Sequence, residues 1–514
     1  MRDVFSLQPQ LDDPGAYPQS EWFQRATKYW QWFYHFDGDL FDETVGDAEK
    51  YPLKLNIFKL AAMMHAGFLF GEVEDGCEPL VQCEIEPWGQ DNTQEQYARG
   101  RELADIVNRV WYENDGREIQ QINGIISQVA GGCVFDVAGD SSRAANGFVP
   151  IRIGTTMPYY FFPVWAPANY RKLLEAIVTF NISGKQAANE YGVNPEQVAN
   201  DIQYQEHWKT DKYKITAGGK VVTYHNTRME GTPIGGIVPY TYIPHIRTGE
   251  FYGESLFEDK DDLAKEVNAR WADMGDLVAD NARQMPFIWN SQRPTIRRLS
   301  RTMPVVDLGE QMPGMPDAPG VAFPSGAKTN TATVQHAANL LSLARTQAYT
   351  PDIVYGLDEG SQRSYLTLAT RMIPLIVHIR QERTHWTTGL GQVARNILRV
   401  CAEKNLEGDT HEDLKGIKIW MDWAPMLPRD RESELNEIIL RFNANLITLD
   451  QALQKLGDVQ DVKTAINLIK AWMKEKAEIE ASGQQNPFGG AGGGGTQAGL
   501  SRPSEPQASI SKED

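Results

Sequence analysis

One stretch, Phe251 to Asp307, constrains this chain more than any other. It opens FYGESLFEDKDDLAKEVNARWADMGDLVADNARQ, which reads as one long helix. Leu256, Leu263, Val267, Trp271, Met274 and Val278 recur at helical intervals and form a narrow apolar stripe. Around it stand Glu258, Asp259, Asp261, Asp262, Glu266, Asp273, Asp276 and Asp280. The charge then inverts. From Asn281 to Val306 there is no Asp or Glu, while Arg283, Arg293, Arg297, Arg298 and Arg301 lie close together. A stripe this narrow cannot stabilise a helix alone, but it can pack beside copies of itself. An acidic helix feeding a compact basic segment suits a tube wall ending in a docking surface better than an enzyme core.

The remaining composition is that of an ordinary globular protein. At 514 residues the chain exceeds one comfortable core, so several domains are expected. Its 50 basic and 68 acidic side chains give a net charge of −18, which disfavours general affinity for nucleic acid. The same charge suits a surface that DNA passes without sticking. Cys77, Cys83, Cys133 and Cys401 show no CxxC spacing and read as reduced thiols in cytosol. The amino terminus, MRDVFSLQPQLDDPG, has no apolar export core. The run Ile57 to Phe70 contains Lys59 and His65 and is too short to span a bilayer.

Aromatic residues crowd the beginning: Trp22, Phe23, Tyr29, Trp30, Trp32, Phe33, Tyr34 and Phe36 form a packing surface. Leu55 to Gly71 reads as a buried helix with a glycine cap, followed by strand-like CEPLVQCEIEPW. Two amphipathic helices are expected in 92–130, and strands in 147–160 and 204–242. After the acidic helix, MPVVDLGEQMPGMPDAPGVAFP admits only short strands and loops. Helices return at Thr333–Tyr349 and about Tyr365–Glu403, the latter with a kink expected at Pro374. Ile417–Trp423 is strand-like, Thr448 and Gln451 make a capping-box pattern, and Val462, Ile466, Ile469 and Met473 stripe a last helix. From Gly483 onward the glycine-rich composition suits disorder. The class is α+β.

Three segments carry a likeness to a known family: LNIFKLAAMMHAGFLFGE, VPYTYIPHIRTGEFYGESLFEDKDDLAKEVN and WAPMLPRDRESELNEIILRFNANLITLDQALQKLGDVQDV. With the order of elements over roughly residues 17 to 480, the chain resembles the portal proteins of tailed bacteriophages. The resemblance implies a wing in 1–252, a stem helix in 253–285, a clip in 286–330 and a second stem helix in 331–348. It further implies a tunnel loop in 349–364, a long wing helix in 365–414, a crown in 415–482 and a tail in 483–514. By that likeness Ile353, Val354, Tyr355, Leu357, Asp358 and Gln362 belong to the loop facing the DNA channel. Asp262, Glu266, Asp273, Asp276 and Asp280 would line the stem, and Arg293, Arg297, Arg298 and Arg301 would dock terminase at the clip. The implied assembly is a dodecameric ring at one capsid vertex of the virion, built in host cytoplasm. Its partners would be the terminase large subunit, major capsid and scaffold proteins, a tail adaptor, and double-stranded DNA passing without sequence recognition.

Enzyme motifs are weak by comparison, and neither cofactor nor metal is expected. Gly184-Lys185 and Gly219-Lys220 lack the remainder of a phosphate-binding loop. No HExxH or GxSxG pattern occurs. His378 and His385, seven apart on one helix, suit packing better than a metal pair. Gly253-Glu254-Ser255 is a helix-starting turn with Ser255 as candidate cap. Asp261/Asp262 and Asp358/Glu359 are adjacent acids that diverge on a helix and make no acid–base dyad. Ser183–Ile202 has a helix-turn-helix outline in acidic surroundings that suit DNA reading poorly, so it is a helical insertion in the wing. Thirteen Trp, 19 Tyr and many acids suggest a polysaccharide hydrolase as the alternative, and another structural virion protein as a third idea.

Overall fold

The computed structural model describes residues 21–35, 55–71, 79–89, 92–166, 169–191, 202–224, 227–249, 251–282, 287–298, 304–322, 331–357, 369–404, 416–427, 431–444, 446–456 and 462–483. The chain divides into two compact units, Met1–Pro428 and Arg429–Asp514.

The larger unit is α+β. Its first helices are α1 (Glu21–His35), α2 (Ile57–Phe70), α3 (Gln94–Tyr112) and α4 (Gly116–Ala130). Between α2 and α3 lies β1 (Gln82–Pro87). A three-stranded antiparallel sheet holds β2 (Gly132–Gly139) at its centre, flanked by β3 (Ile151–Thr156) and the later strand Tyr240–Pro244. A separate meander follows: β4 (Phe161–Ala166), β5 (Asn169–Ile182), β6 (Ile202–Lys209) and β7 (Tyr213–Ala217). The short helix α5 (Gly184–Tyr191) follows β5. The helix-turn-helix outline is therefore corrected at its carboxy-terminal end, where Ile202 begins a strand of this meander.

The long acidic helix, α6, runs from Asp261 to Ala282. It does not begin at Gly253, because a segment distant in sequence holds the chain there. Gly131 adopts φ +81°, and a Cβ there would lie 2.4 Å from the Gly253 carbonyl oxygen, so the two backbones touch. Ser255 Oγ accepts from the Phe257 amide at 3.0 Å and donates to the Val129 carbonyl at 2.5 Å. Ser255 thus caps a turn, and Asp259 at φ 59° interrupts helical geometry before α6 starts. The turn is tied to α1 by Arg25–Glu258 and Lys28–Asp261 ion pairs, each 2.5 Å.

Helix α7 (Thr331–Gln347) packs against α6. Helix α8 (Ile373–Glu403) then crosses the core. Ala369–Arg371 are helical, the helix breaks at Met372, and α8 restarts with Pro374 in its first turn, so the interruption expected at Pro374 takes the form of a restart in which the missing N–H leaves no bond unmade. Leu375, Ile379, Trp386, Leu390, Val393, Ile397 and Cys401 form its buried face. Trp386 meets Phe70 and Phe135 edge-on at 5.5 and 5.9 Å. The aromatic surface on α1 packs as expected, with Tyr29, Trp32 and Phe33 buried beside Phe58 and Phe257. Strand Ile417–Asp422, which the domain expectation assigned to the crown, pairs antiparallel with β1 inside the larger unit.

The smaller unit contains α9 (Arg431–Asn443), α10 (Leu449–Leu456) and α11 (Val462–Gly483). The capping box before α10 is formed: Thr448 N–H donates to Gln451 Oε1 at 3.2 Å, and Gln451 N–H to Thr448 Oγ1 at 3.3 Å. Ile438 and Ala452 are buried, whereas Leu440, Leu446, Leu468 and Trp472 are exposed.

Candidate functional site

Helices α6 and α7 are joined through a β-ribbon. Its pairs are nested: Phe287–Trp289 with Gly320–Ala322, Ser291–Gln292 with Glu310–Gln311, and Thr295–Arg298 with Pro304–Asp307. Nested registers of this kind are those of an antiparallel ribbon whose two halves run back along each other. Prolines and glycines in the returning half shorten each paired segment, so the ribbon runs as three pieces.

Charge along this arm is uneven. Helix α6 carries six acids against Lys265 and Arg270, whereas α7 holds Arg345 and no acid. Arg270 bonds both Glu266 (2.7 Å) and Asp273 (3.1 Å), so part of the acidic face is internally paired. Asp262 is exposed and Asp276 half-buried on the same helix, which also carries Asp280. Arg293 is exposed, with φ 54°. Arg297 and Arg298 fall in the distal strand pair, opposite Val305 and Pro304. Arg301 lies outside the described residues.

Packing within the arm is thin. The buried side chains of α6 and α7 are mostly small: Ala264, Ala272, Ala337 and Ala344, with Val267. Val278, Val334, Leu343, Phe287 and Trp289 stay exposed, the first at 58% although it belongs to the apolar stripe. Asn268 is buried and holds the arm to the segment just before α2, accepting from the Leu55 amide at 2.6 Å and donating to the Leu55 carbonyl at 3.3 Å.

Beyond α7 the chain turns sharply. Arg345 Nη1 bonds Asp352 Oδ1 at 2.8 Å, and its guanidinium lies 5.1 Å from the Tyr355 ring centre. The Tyr355 hydroxyl donates to Thr350 Oγ1 at 3.0 Å. Ile353 and Val354 pack against the core, while Leu357 is exposed. Asp358 and Gln362 lie outside the described residues.

Under this turn sits a histidine cluster that sequence patterning did not assemble. His65 from α2, His245 after Tyr240–Pro244 and His378 from α8 are all buried, with Glu382 one turn along α8. His65 Nε2–H donates to the Ala348 carbonyl at 2.8 Å. His245 Nδ1–H donates to the Glu254 carbonyl at 2.8 Å, which leaves Nε2 to accept from His378 Nε2–H at 3.2 Å. Gln128 Nε2 donates to Glu382 Oε1 at 2.6 Å. Burial pulls all three imidazoles down, His65 to about 3, His245 to about 4 and His378 to about 2. Burial also pushes the Glu382 carboxyl up to about 8, against the pull of Gln128, Trp386 and Arg383. Burial thus favours the uncharged form of all four groups. Among the described residues no group of three or more His, Cys, Asp or Glu could hold a metal ion.

Asp136 and Glu206 are a second pair of neighbouring acids, and both are engaged. Arg152 bonds Asp136 at 3.1 Å, while Glu206 accepts from Tyr204, Trp208 and Tyr240 at 2.7–2.8 Å. They stitch the three-stranded sheet to the meander and are not poised as an acid–base dyad. None of the described helices is long and apolar enough to cross a membrane. No family model matches the chain, and no curated protein is recognisably similar to it.

Proposed function

We propose that this chain is a portal subunit: a non-enzymatic protein that closes with its copies into a ring and conducts double-stranded DNA at one capsid vertex. The observation that carries the proposal is the helix–ribbon–helix arm, which leaves large apolar side chains exposed along a narrow, acid-rich wall. A single chain gains little from such an arm. Neighbouring copies in a ring would cover Val278, Val334 and Leu343 and leave the acids toward a lumen, where like charge keeps phosphates from adhering. The acid-free stretch from Asn281 to Val306, with Arg293, Arg297 and Arg298, would offer a cationic rim to terminase during packaging and to a tail adaptor afterwards. The turn at 350–357 would stand nearest the passing DNA, and capsid and scaffold proteins would meet the outer surface.

Native mass spectrometry and negative-stain microscopy of the purified protein test the proposal. Rings with a central hole and about ten or more copies are expected. A compact monomer that hydrolyses a polymer substrate would refute it and favour the hydrolase alternative.

A further inference from the structure

Tyr349 is the most strained described residue near the turn. Its φ of 56° is left-handed, a conformation in which Cβ crowds the following carbonyl oxygen and which bulky residues rarely adopt. Two contacts hold it there. The Tyr349 ring stacks on His378 with centroids 4.4 Å apart and planes 23° from parallel. The carbonyl of its neighbour Ala348 accepts from His65. His65 and His378 themselves meet edge-on at 5.0 Å. The cluster therefore grips the base of the 350–357 segment at a backbone position that would otherwise relax.

We propose that His65 and His378 form a latch on the Tyr349 hinge, and that protonation of the imidazole cluster releases the 350–357 segment. His65 donates through Nε2, and its Nδ1 is buried without a partner, so a proton added there is a buried donor with no acceptor. A neutral His378 stacks on Tyr349 and donates to His245. Adding one proton places a cation beside two other imidazoles; the acid facing it, Glu382, has Oε2 3.9 Å from His245 Nε2 and is pushed up to about 8 by burial, so it offers no counter-charge at pH 5.0. Lys260, from the turn before α6, adds positive potential at all three rings. Glu254 and Glu258 face Lys260, and His385 faces His245. On α8, Glu382 is held neutral by burial, with Arg383 beside it, and Cys133 from β2 faces Glu382. The Arg345–Asp352 pair on the other side of the hinge is half-exposed and is already internally compensated. Relief comes from exposing an imidazole, and Ala348 and Tyr349, which touch His65 and His378 and lead directly into 350–357, are the contacts that give way.

As regulation of a channel loop, this inference rests on the portal reading; as a latch within one chain it does not. The test is hydrogen exchange on the full chain, corrected for intrinsic rates, at pH 7.5 and pH 5.0. The amides followed are those of Thr350, Val354, Gly356 and Leu357, which donate to Arg345, Pro351, Ile353 and Asp352. An imidazole that titrates normally once exposed raises the open population at pH 5.0 about thirtyfold. Protection at 350–357 should fall by that factor, while amides in the Gln82–Pro87 and Ile417–Asp422 pairing hold. Protection that is flat with pH, or lost equally in both regions, overturns the latch. Tyr349→Ala, at a half-exposed ring, should raise exchange of the same amides about two- to tenfold at pH 7.5 by removing the stack; no change overturns the stacking half. Rings are scored in the same samples. A pH-sensitive segment without rings supports the latch and removes its assignment to a DNA channel, whereas rings with a flat segment remove the latch alone.

Discussion

Replacing Glu382 with glutamine should make this protein more stable at pH 8 and leave it nearly unchanged at pH 4.5. The carboxyl is wholly buried, and burial raises it from 4.5 to about 8. A carboxyl raised on folding contributes its full stability below the unfolded value and loses it as pH rises toward the folded one. Between these limits the unfolded chain has released the proton that the folded chain keeps. Each pH unit then weakens folding by about 1.4 kcal/mol, so the deficit at pH 7 is roughly 3 kcal/mol. Glutamine has no proton to lose, and its Oε1 can still accept from Gln128 Nε2, which stands 2.6 Å from the present oxygen. The surrounding histidines titrate in both proteins and cancel in the difference. Urea unfolding followed by near-ultraviolet circular dichroism from pH 4.5 to 8.5 measures that difference. It should grow from near zero to roughly 3 kcal/mol by pH 7 and flatten near pH 8. A difference independent of pH would show that Glu382 is ionised in the fold and that the neutral cluster is wrong.

Other consequences follow from the same packing. The depressed imidazoles act with the opposite sign: stability held above about pH 6.5 should fall steeply toward pH 4, and His245→Gln should flatten that acid limb of the urea curve. Gly131→Ala needs a side chain at φ +81° and 2.4 Å from a backbone oxygen, so the unfolding free energy from urea titration should drop by at least about 2 kcal/mol. Leu343→Glu on the exposed arm should change unfolding of the single chain by less than about 0.5 kcal/mol yet abolish rings in negative stain. Arg297 and Arg298 changed together to Glu should leave rings intact and stop terminase-dependent DNA packaging; loss of rings would assign them to subunit contacts instead.

What the sequence determined by itself is what neighbouring residues decide among themselves. The Gly71 cap of α2, the Thr448–Gln451 box and strands Gln82–Pro87 and Ile417–Asp422 all follow from capping chemistry and branching within a few residues. Where local patterning failed, a distant partner overruled it. The first residues of the expected stem helix are pinned by Gly131, and Ile202, the last residue of the helical insertion expected in 183–202, is drawn into a strand by its pairing with β5. His378 was legible as a polar residue on a helical face, paired in sequence with His385. Only the tertiary structure set it against His245, 133 residues away, and brought His65 to Ala348 across 283. Periodicity says which face of a helix is buried and is silent on which other face it meets. Chain topology decides that, and it created the uncharged cluster beneath the turn at Tyr349.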